Sequence, residues 1–91
     1  MRYINTLHEG ETIRNVYLCK GKRSAETRNG RPYDNLILQD KTGTIEAKIW
    51  DLSSPGVGEF DAMDYVHIEA DVTLFQNANQ LNVRRIRTAR E

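Results

Sequence analysis

This chain of 91 residues predicts an all-β fold, a five-stranded barrel, and three observations carry that reading. Residues 33–50, YDNLILQDKTGTIEAKIW, hold apolar residues at every second position on both sides of a polar turn. Residues 64–76 alternate in the same way over a longer span. Between them, DLSSPGVGEFDAM contains one proline and two glycines, too many breakers for a long helix.

Taken in order, residues 1–11 read as a lead-in, with Ile4 and Leu7 as isolated apolar anchors and His8-Glu9-Gly10 as a turn. A first strand is expected from Thr12 to about Arg23, with Val16 and Leu18 as its inward pair. A polar loop, Ser24 to Pro32, follows, with turn chemistry at Asn29-Gly30. Pro32 suits the start of the second strand, where a missing N–H is tolerated.

Asp40-Lys41-Thr42-Gly43 has Asp first and Gly last, the chemistry of a type I turn closed by a left-handed glycine. Folding the hairpin about it sets Leu38 opposite Ile45 and Leu36 opposite Ala47, facing a core. Ile37 opposite Glu46, Asn35 opposite Lys48 and Tyr33 opposite Trp50 are then forced onto the outer face. After the 51–63 loop, in which Val57, Phe60 and Met63 are expected to close one end of the core, a fourth strand runs from Asp64 to Gln76. Val66, Ile68, Ala70, Val72 and Leu74 point inward from it. A turn near Asn77-Ala78-Asn79 leads to a fifth strand beginning at Gln80. Leu81 and Val83 alternate, but the next apolar residue is Ile86, so a β-bulge is expected at Arg84-Arg85. That bulge is expected to bring Arg85 near Asp71 and Arg87 near Glu69. Five strands with a long first one, two hairpins and a plug after the third describe the OB-fold, a five-stranded Greek-key barrel. An SH3-like barrel is the competitor, with strands usually shorter than the fourth one here.

Length allows one domain, residues 1–91, with a modest core. Apolar content of 38% and charged content of 29% are those of an ordinary folded domain. No apolar run is long enough to span a membrane and no signal-like segment opens the chain, so no membrane partner and a cytoplasmic location are expected. One cysteine, Cys19, excludes an internal disulfide, and with His8 and His67 far apart no metal or other cofactor is expected. Net charge is zero, yet the charges are segregated. Lys20, Lys22, Arg23, Arg28 and Arg31 cluster around the first loop, and Arg84, Arg85, Arg87 and Arg90 crowd the end. The stretch between Lys48 and Arg84 has acidic residues and no lysine or arginine. A local basic field attracts phosphate even when the total is zero.

The segments LILQDKTGTIEAKIWD, NGRPY and DYVHIEADVTLFQNANQLNV, with the basic first strand, resemble the OB domain of the bacterial YhaM-type exoribonucleases across essentially all 91 residues. In that family the domain precedes an HD-type metal-dependent hydrolase domain that cleaves RNA, and in some cases DNA, from the 3′ end. The resemblance implies substrate binding without cleavage, because this chain has no adjacent His-Asp pair. It also implies that the chain is one domain of a longer protein, with a catalytic hydrolase domain as its companion.

Aromatic rings meet the base faces of a single strand, and lysine or arginine meets its phosphates. The face of strands two and three and the flanking loops supply such contacts in OB-folds. The candidate nucleic-acid-binding residues are therefore Tyr33, Asn35, Lys48 and Trp50 on the hairpin. Lys22, Arg23, Arg28 and Arg31 follow around the first loop, and Phe75 and Asn77 at the fourth-to-fifth turn. The expected partner is single-stranded RNA or DNA, read with little base preference. Plainer roles compete: Trp50 covering the barrel end against Leu52 or Phe60, Tyr33 only pairing with Trp50, Lys48 and the loop arginines merely solvated, Phe75 sealing another domain. Arg85 and Arg87 read as structural partners of carboxylates, and His67 as an exposed strand residue. A protein-interaction or oligomerisation module, docking through the acidic fourth strand, is the alternative function. An enzyme in its own right lacks a visible nucleophile-base set.

Overall fold

The computed structural model describes residues 2–89, so Met1, Glu91 and the Arg90 counted above in the basic cluster lie outside the described residues. A 3-10 turn at Ile4–Thr6 precedes β1 (Thr12–Glu26), β2 (Pro32–Asp40), β3 (Gly43–Ile49), β4 (Tyr65–Phe75) and β5 (Ala78–Thr88). The strands pair in the order β1-β2-β3-β5-β4 and close on themselves, with β3 and β5 parallel and the other pairs antiparallel. This is the OB barrel that the sequence predicts.

The β2–β3 hairpin has the expected register: Leu38 faces Ile45, Leu36 faces Ala47, Ile37 faces Glu46 and Asn35 faces Lys48. Asp40 and Gly43 close it, with Gly43 at φ +152°, a conformation that glycine takes readily. One carboxylate oxygen of Asp40 accepts from the Thr42 N–H at 2.7 Å and its hydroxyl at 2.6 Å. The other accepts from the Ile4 N–H at 2.7 Å, so one aspartate both shapes the turn and anchors the lead-in. Partial burial pushes the Asp40 carboxyl up, but these hydrogen bonds outweigh it and hold it below its ordinary value. Ile4 and Leu7 are buried, as expected of anchors.

β1 runs three residues further than expected and serves two neighbours, β4 through Thr12–Leu18 and β2 through Leu18–Glu26. Its inward residues are Ile13, Tyr17 and Cys19, not Val16 and Leu18, which lie half-buried on the outside. Tyr17 enters the core because its hydroxyl finds a buried partner, donating to the Arg2 carbonyl at 2.7 Å. Cys19 fits because its own backbone pairs with the chain at residues 63–64. Lys20 is an extra residue between Cys19↔Leu38 and Gly21↔Ile37, a bulge that switches the strand's phase. Beyond it Arg23 and Ala25 align with the outward residues Asn35 and Tyr33.

Four further expectations are corrected. Met63 is 64% exposed rather than closing the core, because it occupies a positive-φ turn position (+74°) whose N–H is committed to the Cys19 carbonyl; Phe60 and Val57 do pack on the core. Leu74 overhangs the barrel end and is 49% exposed. The turn falls at Gln76-Asn77, both at positive φ, so β5 starts at Ala78 rather than Gln80. The bulge is where the rhythm placed it, with Arg84 extra between Glu69↔Arg85 and Ala70↔Val83, but the ion pairs are different. Arg84 binds Asp71 at 2.8 Å and Arg14 of β1 binds Glu69 at 3.2 Å. Arg84, the inserted residue, reaches Asp71, whose register partner is Asn82, while Arg85 aligns with Glu69 and Arg87 with His67.

Past the bulge, β5 loses β3 as a neighbour and gains the 56–58 segment. The Gly58 N–H donates to the Ile86 carbonyl at 2.8 Å and the Ile86 N–H donates to the Gly56 carbonyl at 3.0 Å. A Cβ on Gly56 would meet Arg85 Cγ at 2.9 Å and the Arg84 carbonyl at 3.1 Å, so close docking of this segment requires glycine there.

Candidate nucleic-acid interface

The two-residue turn and the hairpin register bring Tyr33 and Trp50 together on the outer face, their ring centroids 4.8 Å apart and their planes at 34°. Trp50 is 43% exposed and lines an open groove together with Leu52. Its indole N–H donates to the Asn82 amide oxygen at 3.0 Å. Lys48 reaches over both rings, its ammonium 5.3 Å from the Tyr33 centroid and 5.9 Å from that of Trp50, and donates to the Asn35 amide oxygen at 3.0 Å. A cation over two ring faces is itself favourable, so the cluster is organised before any ligand arrives.

Arg23, Asn35, Lys48 and Asn82 form one outward row across β1, β2, β3 and β5. Both asparagines have their amide oxygens engaged, that of Asn35 by Lys48 within the row and that of Asn82 by Trp50 beside it. Beside it, Thr27, Asn29, Arg31 and Trp50 line an open groove, and Arg31, Trp50, Asp51 and Ser53 line another. The loop that carries Arg31 is stiffened by the Thr27 N–H donating to the Arg31 carbonyl at 2.8 Å and the Arg31 N–H donating to the Thr27 hydroxyl at 3.1 Å. Asp51 is held below the usual carboxylate range by the Ser53 hydroxyl and N–H, with the Arg31 charge adding to the effect.

The fold thus gathers Tyr33, Asn35, Lys48, Trp50, Arg23 and Arg31 in one region. Arg28 is exposed on the same loop. Lys22 is drawn elsewhere: its ammonium donates to the Phe60 carbonyl at 2.8 Å and lies 4.2 Å from the Phe60 ring centroid. Phe75 and Asn77 stand near the other end of β3. Gln80 pairs with Glu46, which sets Phe75 roughly level with Thr44, about 20 Å along the strand from Trp50 at about 3.3 Å per residue. Asn82 was not anticipated. Its outward direction follows from Leu81 and Val83 facing in, but its place beside Lys48 and Trp50 depends on the parallel β3–β5 closure.

Cys19 is buried, its thiol donating to the Gly21 carbonyl at 3.4 Å, and burial pushes its pKa up. Among the described residues no three His, Cys, Asp or Glu side chains converge as a metal site.

No family model matches the chain. It is 35% identical over 80 residues to the 3′-5′ exoribonuclease YhaM of Listeria monocytogenes, covering 88% of this chain and 26% of that protein. It is 38% identical over 86 residues to the YhaM of Bacillus velezensis, covering 93% of this chain and 27% of that one. The chain therefore spans about a quarter of the length of the curated relatives it matches. Among solved structures, the second OB-fold domain of replication protein A from Methanococcus maripaludis superposes with a TM-score of 0.73 at 17% identity, over 99% of this chain and 95% of that one. A replication protein A heterotrimer bound to single-stranded DNA gives 0.71 at 19% identity, over 97% and 64%. These two likenesses bear on the fold. The chain is an OB-fold domain homologous to one domain-sized part of the YhaM 3′-5′ exoribonucleases.

Proposed function

We propose that this chain binds single-stranded nucleic acid, RNA or DNA, on the outer face of β2 and β3, with little sequence preference. One observation carries the reading: a tilted Tyr33–Trp50 pair with the Lys48 ammonium above it, on a surface with no core to fill. The rings stack on bases at about 1–3 kcal/mol each, and Lys48, Arg23 and Arg31 take phosphates. Base edges meet little beyond the amides of Asn35 and Asn82, so discrimination is weak. The relatives' name, exoribonuclease, supports the reading, as does the single-stranded DNA bound by one structural neighbour. On this view the chain is the substrate-holding domain of a larger cytoplasmic 3′-5′ exonuclease and leaves cleavage to a separate hydrolase domain.

Anisotropy titration with a labelled oligonucleotide tests it. The Trp50→Ala, Lys48→Ala double variant loses most affinity while keeping the fold; unchanged affinity overturns the reading. A protein-docking role has one observation in its favour, the exposure of Met63 and Tyr65. It is the better reading if the chain self-associates tightly and shows no salt-sensitive oligonucleotide binding.

A further inference from the structure

We propose that β5 beyond its bulge carries a second phosphate track, built on Arg85 and Arg87, which takes the continuation of a strand held at Trp50. This rests on the nucleic-acid reading above. The bulge read from the sequence is expected to pair these two arginines with Asp71 and Glu69, but the inserted Arg84 takes Asp71 and Arg14 takes Glu69. Among the described residues Arg85 and Arg87 have no carboxylate partner, and both are exposed. The surface thus sets four guanidinium groups, Arg14, Arg84, Arg85 and Arg87, against two carboxylates that are already paired.

These arginines line an open groove with Arg14, His67, Gly56 and Gly58. The glycines keep its wall low, because the 56–58 segment lies directly against β5 with no side chain at either position. Glu69, the register partner of Arg85, also lines it, with its carboxylate bound by Arg14 at 3.2 Å, whereas Glu59, Asp61 and Asp64 do not. Arginine forks suit phosphate oxygens, and a groove open along its length suits a chain of phosphodiesters.

The track joins the platform through β5. Asn82 holds the Trp50 indole, and Arg85 and Arg87 follow at about 10 and about 17 Å along the same strand at about 3.3 Å per residue. A strand stacked on Trp50 and continuing along β5 passes onto these two charges without leaving the barrel surface.

Titrations of the 91-residue chain with single strands of about 4 and about 16 nucleotides, the range of site sizes for such barrels, test the proposal across salt concentrations. A longer strand offers more binding registers to any variant, so the salt slope decides. Arg85→Ala, Arg87→Ala is expected to bind the short strand within about twofold of the parent and to lose about 1.4 from the log-log salt slope for the long one, about 0.7 per phosphate contact. Arg85→Lys, Arg87→Lys restores the slope. An unchanged slope for the long strand, or equal loss for both lengths, overturns the track. Trp50→Ala, by contrast, weakens both lengths, and a parent chain that binds neither overturns the platform reading itself.

Discussion

The indole N–H of Trp50 and the amide oxygen of Asn82 meet at 3.0 Å across the parallel junction of β3 and β5, residues that no local pattern links. The contact fixes the ring that the proposed interface depends on. Asn82→Ala releases it, and a stacking ring that must first be ordered binds less well. The expected cost is that of one net hydrogen bond, about 0.5–1.5 kcal/mol, or about 2- to 10-fold in oligonucleotide affinity. Anisotropy titration reads it, and the urea midpoint should move little.

Trp50→Ala removes a stacking surface outright. The loss expected is about 1–3 kcal/mol, on the order of 5- to 100-fold in affinity. Trp50→Phe, titrated beside it, should recover part of the loss, since it restores a ring without the N–H.

Lys48→Ala should act mainly through salt. One phosphate contact fewer lowers the log-log salt slope for a single strand by about 0.7. Affinity measured at several salt concentrations separates this from loss of stacking, which shifts the line without changing its slope.

Asp40→Asn tests the hairpin anchor. The Asp40 carboxyl titrates below its unfolded value, so its stabilising contribution is present above about pH 4 and fades as pH falls through the lower native value. The variant should be about 1–3 kcal/mol less stable at neutral pH, because asparagine keeps one acceptor oxygen and its NH2 group only donates, so either Ile4 or Thr42 loses its acceptor. It should also lack this part of the acid sensitivity. Urea unfolding at neutral and acidic pH measures both effects.

Gly56→Ala places a Cβ 3.1 Å from the Arg84 carbonyl and 2.9 Å from Arg85 Cγ. The arginine can move, but the backbone is held by two hydrogen bonds to β5. A destabilisation of about 1–3 kcal/mol is expected by chemical denaturation.

What could be read from the sequence follows how local each feature is. The β2–β3 hairpin was legible to the residue, because a two-residue turn and period-2 alternation leave one register, and Tyr33, Asn35, Lys48 and Trp50 came with it. The facing of β1 was not. Val16 and Leu18 looked like core beside Tyr17 and Cys19, and only the Arg2 carbonyl, brought in by the lead-in, lets the tyrosine go inside. The bulge at Arg84 was visible in the broken rhythm, yet which arginine met Asp71 depended on the inserted side chain. The contacts of Lys22 and Asn82 could not be read for one reason: their partners, Phe60 and Trp50, lie across junctions that exist only once the barrel is closed.

Trp50 is the chain's single tryptophan, so its fluorescence reports on the proposed interface alone. Titrating an unlabelled single-stranded oligonucleotide at low and at moderate salt should quench that emission to saturation, with a weaker midpoint at the higher salt. Emission that stays constant while an anisotropy assay registers binding would show that the bases never reach Trp50 and would contradict the account.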